Sequence, residues 1–215
     1  MPRFALTFLA CVILSLPAHA NGRSDLKAGY AAMLGKDYAR AIEYLTSAIE
    51  SGDLTQVNLA HAYNWRGAEY LKTGRTDQAI ADLDRAISMQ PNLATAYSDR
   101  GVAYRRKGDY EKAIADYSEA MRLWPNWRGY YLNRGLAYAA AGREREAIAD
   151  FDAAIFLKPD FVEAYIARAD AYLKAGQRDK ALADYRHALR ERGNLLKEYP
   201  GVAAKLAALE GDPAR

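Results

Sequence analysis

Cysteine is almost missing from this chain. Cys11 is the only one in 215 residues, and it lies close to the N-terminus. A disulfide framework is therefore excluded, and so is a cysteine-based metal centre. Histidine is nearly as scarce. Beyond position 20 only His61 and His187 remain, far apart and without clustered carboxylates to complete a metal site, and each is expected at the surface. Gly-rich phosphate loops and nucleophile motifs are also absent, so the sequence predicts a protein that is not an enzyme and takes no cofactor. Neither sign of charge dominates: 30 basic residues face 27 acidic ones, which offers no basic surface to nucleic acid or to an anionic membrane. Long apolar runs are confined to one place. From Phe4 to Leu16 the chain is nearly all apolar, after a short positive start at Met1-Pro2-Arg3 and before Ala18-His19-Ala20, the small–x–small form of a cleavage site. The pattern predicts a signal peptide over 1–20, cleaved after Ala20, and hence a periplasmic or secreted protein with no integral membrane segment. As a retained anchor the run is short for a bilayer. Cys11 sits mid-run behind Phe8-Leu9-Ala10, a poor lipidation box, and is expected to leave with the signal.

Tyrosine is what the chain has in plenty, with 16 copies, and most of them fall on a grid. Gly67, Gly101 and Gly135 stand 34 residues apart, and Ala169 takes the same place in a fourth copy. Tyr63, Tyr97, Tyr131 and Tyr165 precede that place by four residues; Tyr70, Tyr104, Tyr138 and Tyr172 follow it by three. Next come Ala79, Ala113, Ala147 and Ala181, then Leu83, Tyr117, Phe151 and Tyr185, then Ala86, Ala120, Ala154 and Ala188. Pro91, Pro125 and Pro159 close three of the copies. Such a period means stacked helical hairpins, because one hairpin cannot bury its apolar face alone. The small residue lets a second helix approach closely, and the tyrosines at helical spacing are read as core. Gly74, Gly108, Gly142 and Gly176 are placed to end each first helix in a left-handed cap. Thr76, Asp109 and Asp179 stand where the second helix would be capped.

Tyr63-x-x-Arg66-Gly67-x-x-Tyr70, then Ala79-x-x-x-Leu83, Ala86 and Pro91, resembles the tetratricopeptide signature of a helical hairpin. Tyrosine replaces the signature tryptophan, and Arg66, Arg100, Arg134 and Arg168 replace its leucine. The resemblance implies an all-α fold: a right-handed solenoid of about five hairpins closed by a C-terminal capping helix. Repeats are expected near 22–59, 60–93, 94–127, 128–161 and 162–195, the first of them degenerate, with Gly29, Ala41, Leu45 and Ala48 at the pattern positions. Within the solenoid of 21–195 one irregularity stands out. Around Glu50-Ser51-Gly52-Asp53 the spacing gains four residues, and Asp53 with Gln56 resembles a capping box that would start the next helix early. The insertion at Ser51–Asp53 is either a tolerated loop or a binding element. After 195 the pattern stops. Leu195, Leu196 and Tyr199 lead into Pro200, and Val202, Leu206 and Leu209 recur at helical spacing, giving a capping helix at 196–210 before a disordered tail at 211–215.

The arginines have partners in register. Asp82, Asp116, Asp150 and Asp184 recur once per full repeat, while the degenerate first copy has Ala28 and Tyr44 at the two positions, so both charges vanish together. A ladder of Arg–Asp pairs is expected, within a repeat or between repeats, in preference to an arginine row awaiting an anion. The resemblance further implies that certain first-helix positions line a concave groove. These are His61, Asn64, Ala68, Leu71 and Lys72, then Thr95, Ser98, Val102, Arg105 and Arg106. They continue with Gly129, Leu132, Leu136, Ala139 and Ala140, and with Glu163, Ile166, Asp170, Leu173 and Lys174. The candidate binding residues among them are His61, Asn64, Ser98, Val102, Arg105, Leu132, Leu136, Ile166 and Asp170. Leu132, Leu136 and Ile166 form an apolar strip not needed for the core. Only Asn64 matches the lysine-and-asparagine clamp with which family members hold chaperone tails, which speaks against that partner. The function expected is a non-enzymatic adaptor of the cell envelope that holds an extended peptide or helix of a protein partner. The alternatives are an assembly escort for an envelope complex or hydrolase and a solenoid that binds glycan or peptidoglycan.

Overall fold

A computed structural model of the protein describes residues 21–191 and 199–211. The expected signal segment, Leu195, Leu196 and the end of the tail lie outside the described residues. What is described is helical throughout: α1 (Gly22–Leu34), α2 (Tyr38–Glu50), α3 (Gln56–Lys72), α4 (Thr76–Met89), α5 (Ala94–Lys107), α6 (Tyr110–Leu123), α7 (Arg128–Ala140), α8 (Glu144–Leu157), α9 (Val162–Lys174), α10 (Arg178–Glu191) and α11 (Pro200–Gly211). No helix among them is long and apolar enough to cross a membrane.

Each hairpin turn is set by its glycine. Gly74, Gly108, Gly142 and Gly176 take φ of 77°, 82°, 74° and 72°, the left-handed region that costs a side chain energy. The residue that follows returns its N–H to a carbonyl one turn back, as Arg75 does to Tyr70 at 2.8 Å and Asp109 to Tyr104 at 2.9 Å. The first hairpin has Lys36 at φ 58° instead. Because the second helices issue directly from these turns, the expected caps are not used. Arg75, not Thr76, is the N-cap residue of α4, Asp109 caps α6 by position without a side-chain bond, and Asp179 falls inside the first turn of α10. The insertion does lengthen α3, to 17 residues, but its cap is Thr55, which accepts from Asn58 N–H at 3.3 Å. The Asp53 carboxylate accepts instead from Gly22 N–H at 3.2 Å and Ser51 Oγ at 2.7 Å, tying the end of the first hairpin to its start.

The core repeats with the sequence. Leu45, Leu83, Tyr117, Phe151 and Tyr185 are fully buried, each flanked by fully buried alanines on its own helix. They pack under the small residue of the paired first helix: a Cβ on Gly101 would lie 2.8 Å from the Tyr117 ring, and one on Gly135 2.5 Å from the Phe151 ring. The first-helix tyrosines are a correction to the core reading. Of the eight, only Tyr70 is buried; the rest are half-buried and shoulder the core from one side. Consecutive helices pack in order, and first helices also touch first helices, as α3 does α5 and α5 does α7. Among the described residues, second helices make no comparable contact with one another, so the stack closes up on the first-helix side, which is the inner, concave one. At the far end α11 lays buried Val202 and half-buried Leu206 and Leu209 on the last hairpin, against Val162, Ala169 and Tyr185.

Candidate binding groove

The arginine ladder exists and runs both ways. Nε and Nη2 of Arg66, Arg100, Arg134 and Arg168 fork onto Asp82, Asp116, Asp150 and Asp184 of the same hairpin, at 2.7–2.9 Å. The remaining Nη1 reaches back into the preceding hairpin, to Thr46 Oγ1 at 2.9 Å, Asp84 Oδ1 at 2.6 Å, Ser118 Oγ at 2.9 Å and Asp152. The shouldering tyrosines lie over these guanidinium groups, Tyr97 at 5.6 Å and Tyr104 at 5.8 Å from Arg100. Hydrogen bonding to Asp116 holds the Arg100 guanidinium above its ordinary pKa. Every arginine of the row is thus committed to carboxylates and hydroxyls, which leaves an incoming anion no free fork.

The concave face carries two different surfaces. Its C-terminal half holds a pocket of about 470 Å³ between α7 and α9, floored by Leu136, Ala139, Ala140, Ala167 and Leu173. Its polar rim is Asp170, Lys174 and Lys205, the last of these contributed by α11. Lys205 is ion-paired to Asp170, which also accepts from the Tyr185 hydroxyl. Burial, and then this bond, raises the Tyr185 pKa. Leu132, Leu136 and Ile166 are half-buried and packed on core residues, Leu132 and Leu136 against Phe151 and Ala171. They serve the core and the groove at once, so the strip is not free of a packing role. Leu136 and Asp170 line the pocket; Leu132 and Ile166 stand outside it.

The N-terminal half is polar and less satisfied. Asn64 and Ser98 are buried, and Asn64 Oδ1 has no hydrogen-bond partner. Arg105 Nε has none either, and the hydroxyl of buried Tyr117 lies against the Arg105 side chain. Burial pushes the Tyr117 hydroxyl up to about 12. Val102 packs on the core between the second and third hairpins. His61 is half-buried with its ring 5.7 Å from Trp65, and His187 lies 4.1 Å from Tyr165, so neither is the surface residue expected.

Two carboxylates here escaped the sequence reading. Glu69 is fully buried, with one oxygen on Lys72 Nζ at 2.6 Å and the other unpartnered. Asp99 has no hydrogen bond or ion pair among the described residues, and burial pushes its carboxyl up to about 7, with Lys72 opposing and Glu69 adding to the rise. A signal for Glu69 was present: its repeat equivalents are Ala103, Ala137 and Ala171, and a lone glutamate in a column of buried alanines is out of place. Among the described residues no group of histidine, aspartate and glutamate is arranged to hold a metal ion.

Tetratricopeptide repeat models match residues 66–126, 129–161 and 162–195, together more than half of the chain. The chain belongs to the tetratricopeptide repeat family. Solved structures agree on the fold. The tetratricopeptide protein TTC0263 of Thermus thermophilus is 25% identical and superposes with a TM-score of 0.66 over 87% of this chain and 98% of its own. A MamA crystal structure is 24% identical, with a TM-score of 0.68 over 83% and 94%. A repeat protein of Parabacteroides merdae ATCC 43184 is 22% identical, with 0.72 over 88% and 73%. No curated protein matches the chain. As a tetratricopeptide repeat protein it is a protein–protein interaction scaffold.

Proposed function

We propose that this scaffold acts in the cell envelope as an adaptor, holding an extended or helical segment of a partner along the concave face of its first helices. The observation that carries the reading is the pocket between α7 and α9, where Leu136, Ala139, Ala140, Ala167 and Leu173 offer an apolar floor to the groove rather than to the core alone. An apolar side chain of the segment would sit there, bounded by Asp170 and Lys174. The envelope setting rests on the signal-like pattern of the first 20 residues. Photoreactive benzoylphenylalanine placed at Ala140, an exposed residue of the pocket lining, and as a control at Ala149, exposed on the second helix α8, tests it in intact cells. A discrete adduct is expected from position 140 and none from 149. Adducts from 149 alone would move the site to the outer face. The glycan reading has one observation in its favour: Trp124 and Trp127 are exposed on the α6–α7 turn with ring centres 5.8 Å apart. Retention of the protein on isolated wall material, lost in Trp124→Ala with Trp127→Ala, would support it instead.

A further inference from the structure

The polar half of the groove holds a carboxylate and an amide oxygen that have no donor among the described residues. Arg106 of α5 donates to the backbone carbonyl of Leu71 in α3, so the faces bearing these two residues meet. Seven residues upstream, nearly two turns on the same faces, stand Asp99 and Asn64. The seam between α3 and α5 therefore holds an aspartate with no ion pair among the described residues and a buried amide whose Oδ1 lacks a donor. Tyr117 passes beneath Gly101 toward this face, and its hydroxyl lies against the Arg105 side chain. Asp99 raises the pKa of Tyr117 and of Tyr130, in both cases after burial, which places its field across α6 and α7 as well.

Two repeats further on the same tyrosine position is complete. Tyr185 passes beneath Ala169, donates to Asp170, and Lys205 closes the set as cation. Around Tyr117 the hydroxyl has a cation beside it, Arg105, but the carboxylate of Asp99 has none paired with it among the described residues. Lys72, the one cation among the described residues that acts on Asp99, is engaged by Glu69. Arg105 acts on Tyr117 but not on Asp99.

We propose that the α3–α5 seam is a subsite for a cationic side chain of the bound segment, with Asp99 as its carboxylate and Asn64 Oδ1 as a flanking acceptor. This rests on the groove reading above and adds the chemistry of one partner residue: a lysine or arginine, placed N-terminal along the solenoid from the apolar pocket. The other titratable groups facing Asp99 are Lys72 and Glu69 on α3, Tyr117 on α6 and Tyr130 on α7, with Arg105 of α5 engaged at the Tyr117 hydroxyl rather than on Asp99.

The probe is n-butylammonium, a lysine side chain without a backbone, with n-butylguanidinium as the arginine form and n-butanol as the neutral control. The carboxyl carbon of Asp99 is followed by NMR in the full chain, labelled at aspartate and assigned with Asp99→Asn, at constant ionic strength. Saturating cation is expected to lower the Asp99 midpoint from about 7 by one unit or more, a tenfold or greater preference for the ionised carboxylate. Butanol should leave it unmoved, and Asn64→Ala should weaken the cation effect. An unmoved midpoint, or saturable binding that survives Asp99→Asn, overturns the subsite. The groove reading is separable. Should Asp99→Asn leave partner affinity intact while position 140 still crosslinks, the groove stands and the subsite falls.

Discussion

Arg100→Ala is the most informative single change to the ladder. The substitution removes two forked bonds to Asp116, at 2.7 and 2.9 Å, and one bond to Asp84 at 2.6 Å. The two losses weigh differently. The Asp116 side chain is 9% exposed, so its carboxylate stays buried without donors, whereas that of Asp84 is 51% exposed and returns to water. Breaking a buried pair from one side costs about 3–5 kcal/mol, and an exposed pair contributes about 0–1 kcal/mol. We therefore expect Arg100→Ala to cost about 3–5 kcal/mol and Asp84→Asn under about 1 kcal/mol. A double-mutant cycle of Arg100 with Asp116 should show coupling of about 2 kcal/mol or more. The cycle of Arg100 with Asp82 should show almost none, because Asp82 serves Arg66. Urea unfolding followed by circular dichroism gives the energies. Stacked repeats open piecewise, so hydrogen exchange should localise the loss to α5, α6 and their neighbours. Coupling below about 0.5 kcal/mol between Arg100 and Asp116 would mean that the fork adds nothing beyond its parts, and the structural reading of the ladder would fail.

Three further outcomes follow from named contacts. Asp99 has a folded-state pKa of about 7 against an ordinary 3.8, so its neutral form favours folding: that contribution is full below about 4 and is lost as pH rises through 7. Asp99→Asn should flatten the stability profile between these limits and raise stability at pH 8, by at most about 4 kcal/mol; an unchanged slope in urea titrations at pH 5 and 8 would contradict this. Gly135→Ala sets a methyl 2.5 Å from the buried Phe151 ring and should cost about 1–3 kcal/mol despite the better helix propensity of alanine; an unchanged melting temperature would show that the hairpin yields freely. Asp170→Asn removes the ionic partner of Lys205 and should raise amide exchange in α11 while leaving α3 to α6 unaffected, with equal exchange in wild type and variant counting against the contact.

The repeating parts were legible because each copy repeats the same physical constraint. A glycine that must be left-handed, a small residue over a large one, and an arginine in register with an aspartate each recur at fixed offsets, and all three appear in the structure. What depended on exposure was less legible. The tyrosine stripe was read as core because apolar spacing alone cannot distinguish a residue inside a helix pair from one lying over its edge. Asn64 and Ser98 hold groove positions by their place in the repeat, but close approach of neighbouring first helices buries them. Caps misled for a local reason: a helix that starts straight out of a glycine turn begins earlier than its first capping-type residue, so Arg75 stands at the N-cap position of α4 and Thr76 and Asp179 already lie inside the first turn. Asp99 belongs to no repeated column. Its equivalents are Trp65, Asn133 and Ala167, so only its burial and its three-dimensional placement near Glu69, Lys72 and Tyr117 distinguish it from an ordinary solvated aspartate.

The claim that the concave face is the working surface is tested most directly with a matched pair of charge insertions. Ala140 and Ala149 are both exposed helical alanines, one in the lining of the α7–α9 pocket and one on the outer helix α8, so glutamate at either adds equal charge at little cost to the core. The affinity of the partner identified by crosslinking is then measured for each variant by calorimetry, with melting temperatures as a check on folding. Ala140→Glu should weaken binding tenfold or more and Ala149→Glu less than twofold. Equal effects, or a larger loss at position 149 than at 140 in folded protein, would contradict a binding site in the groove.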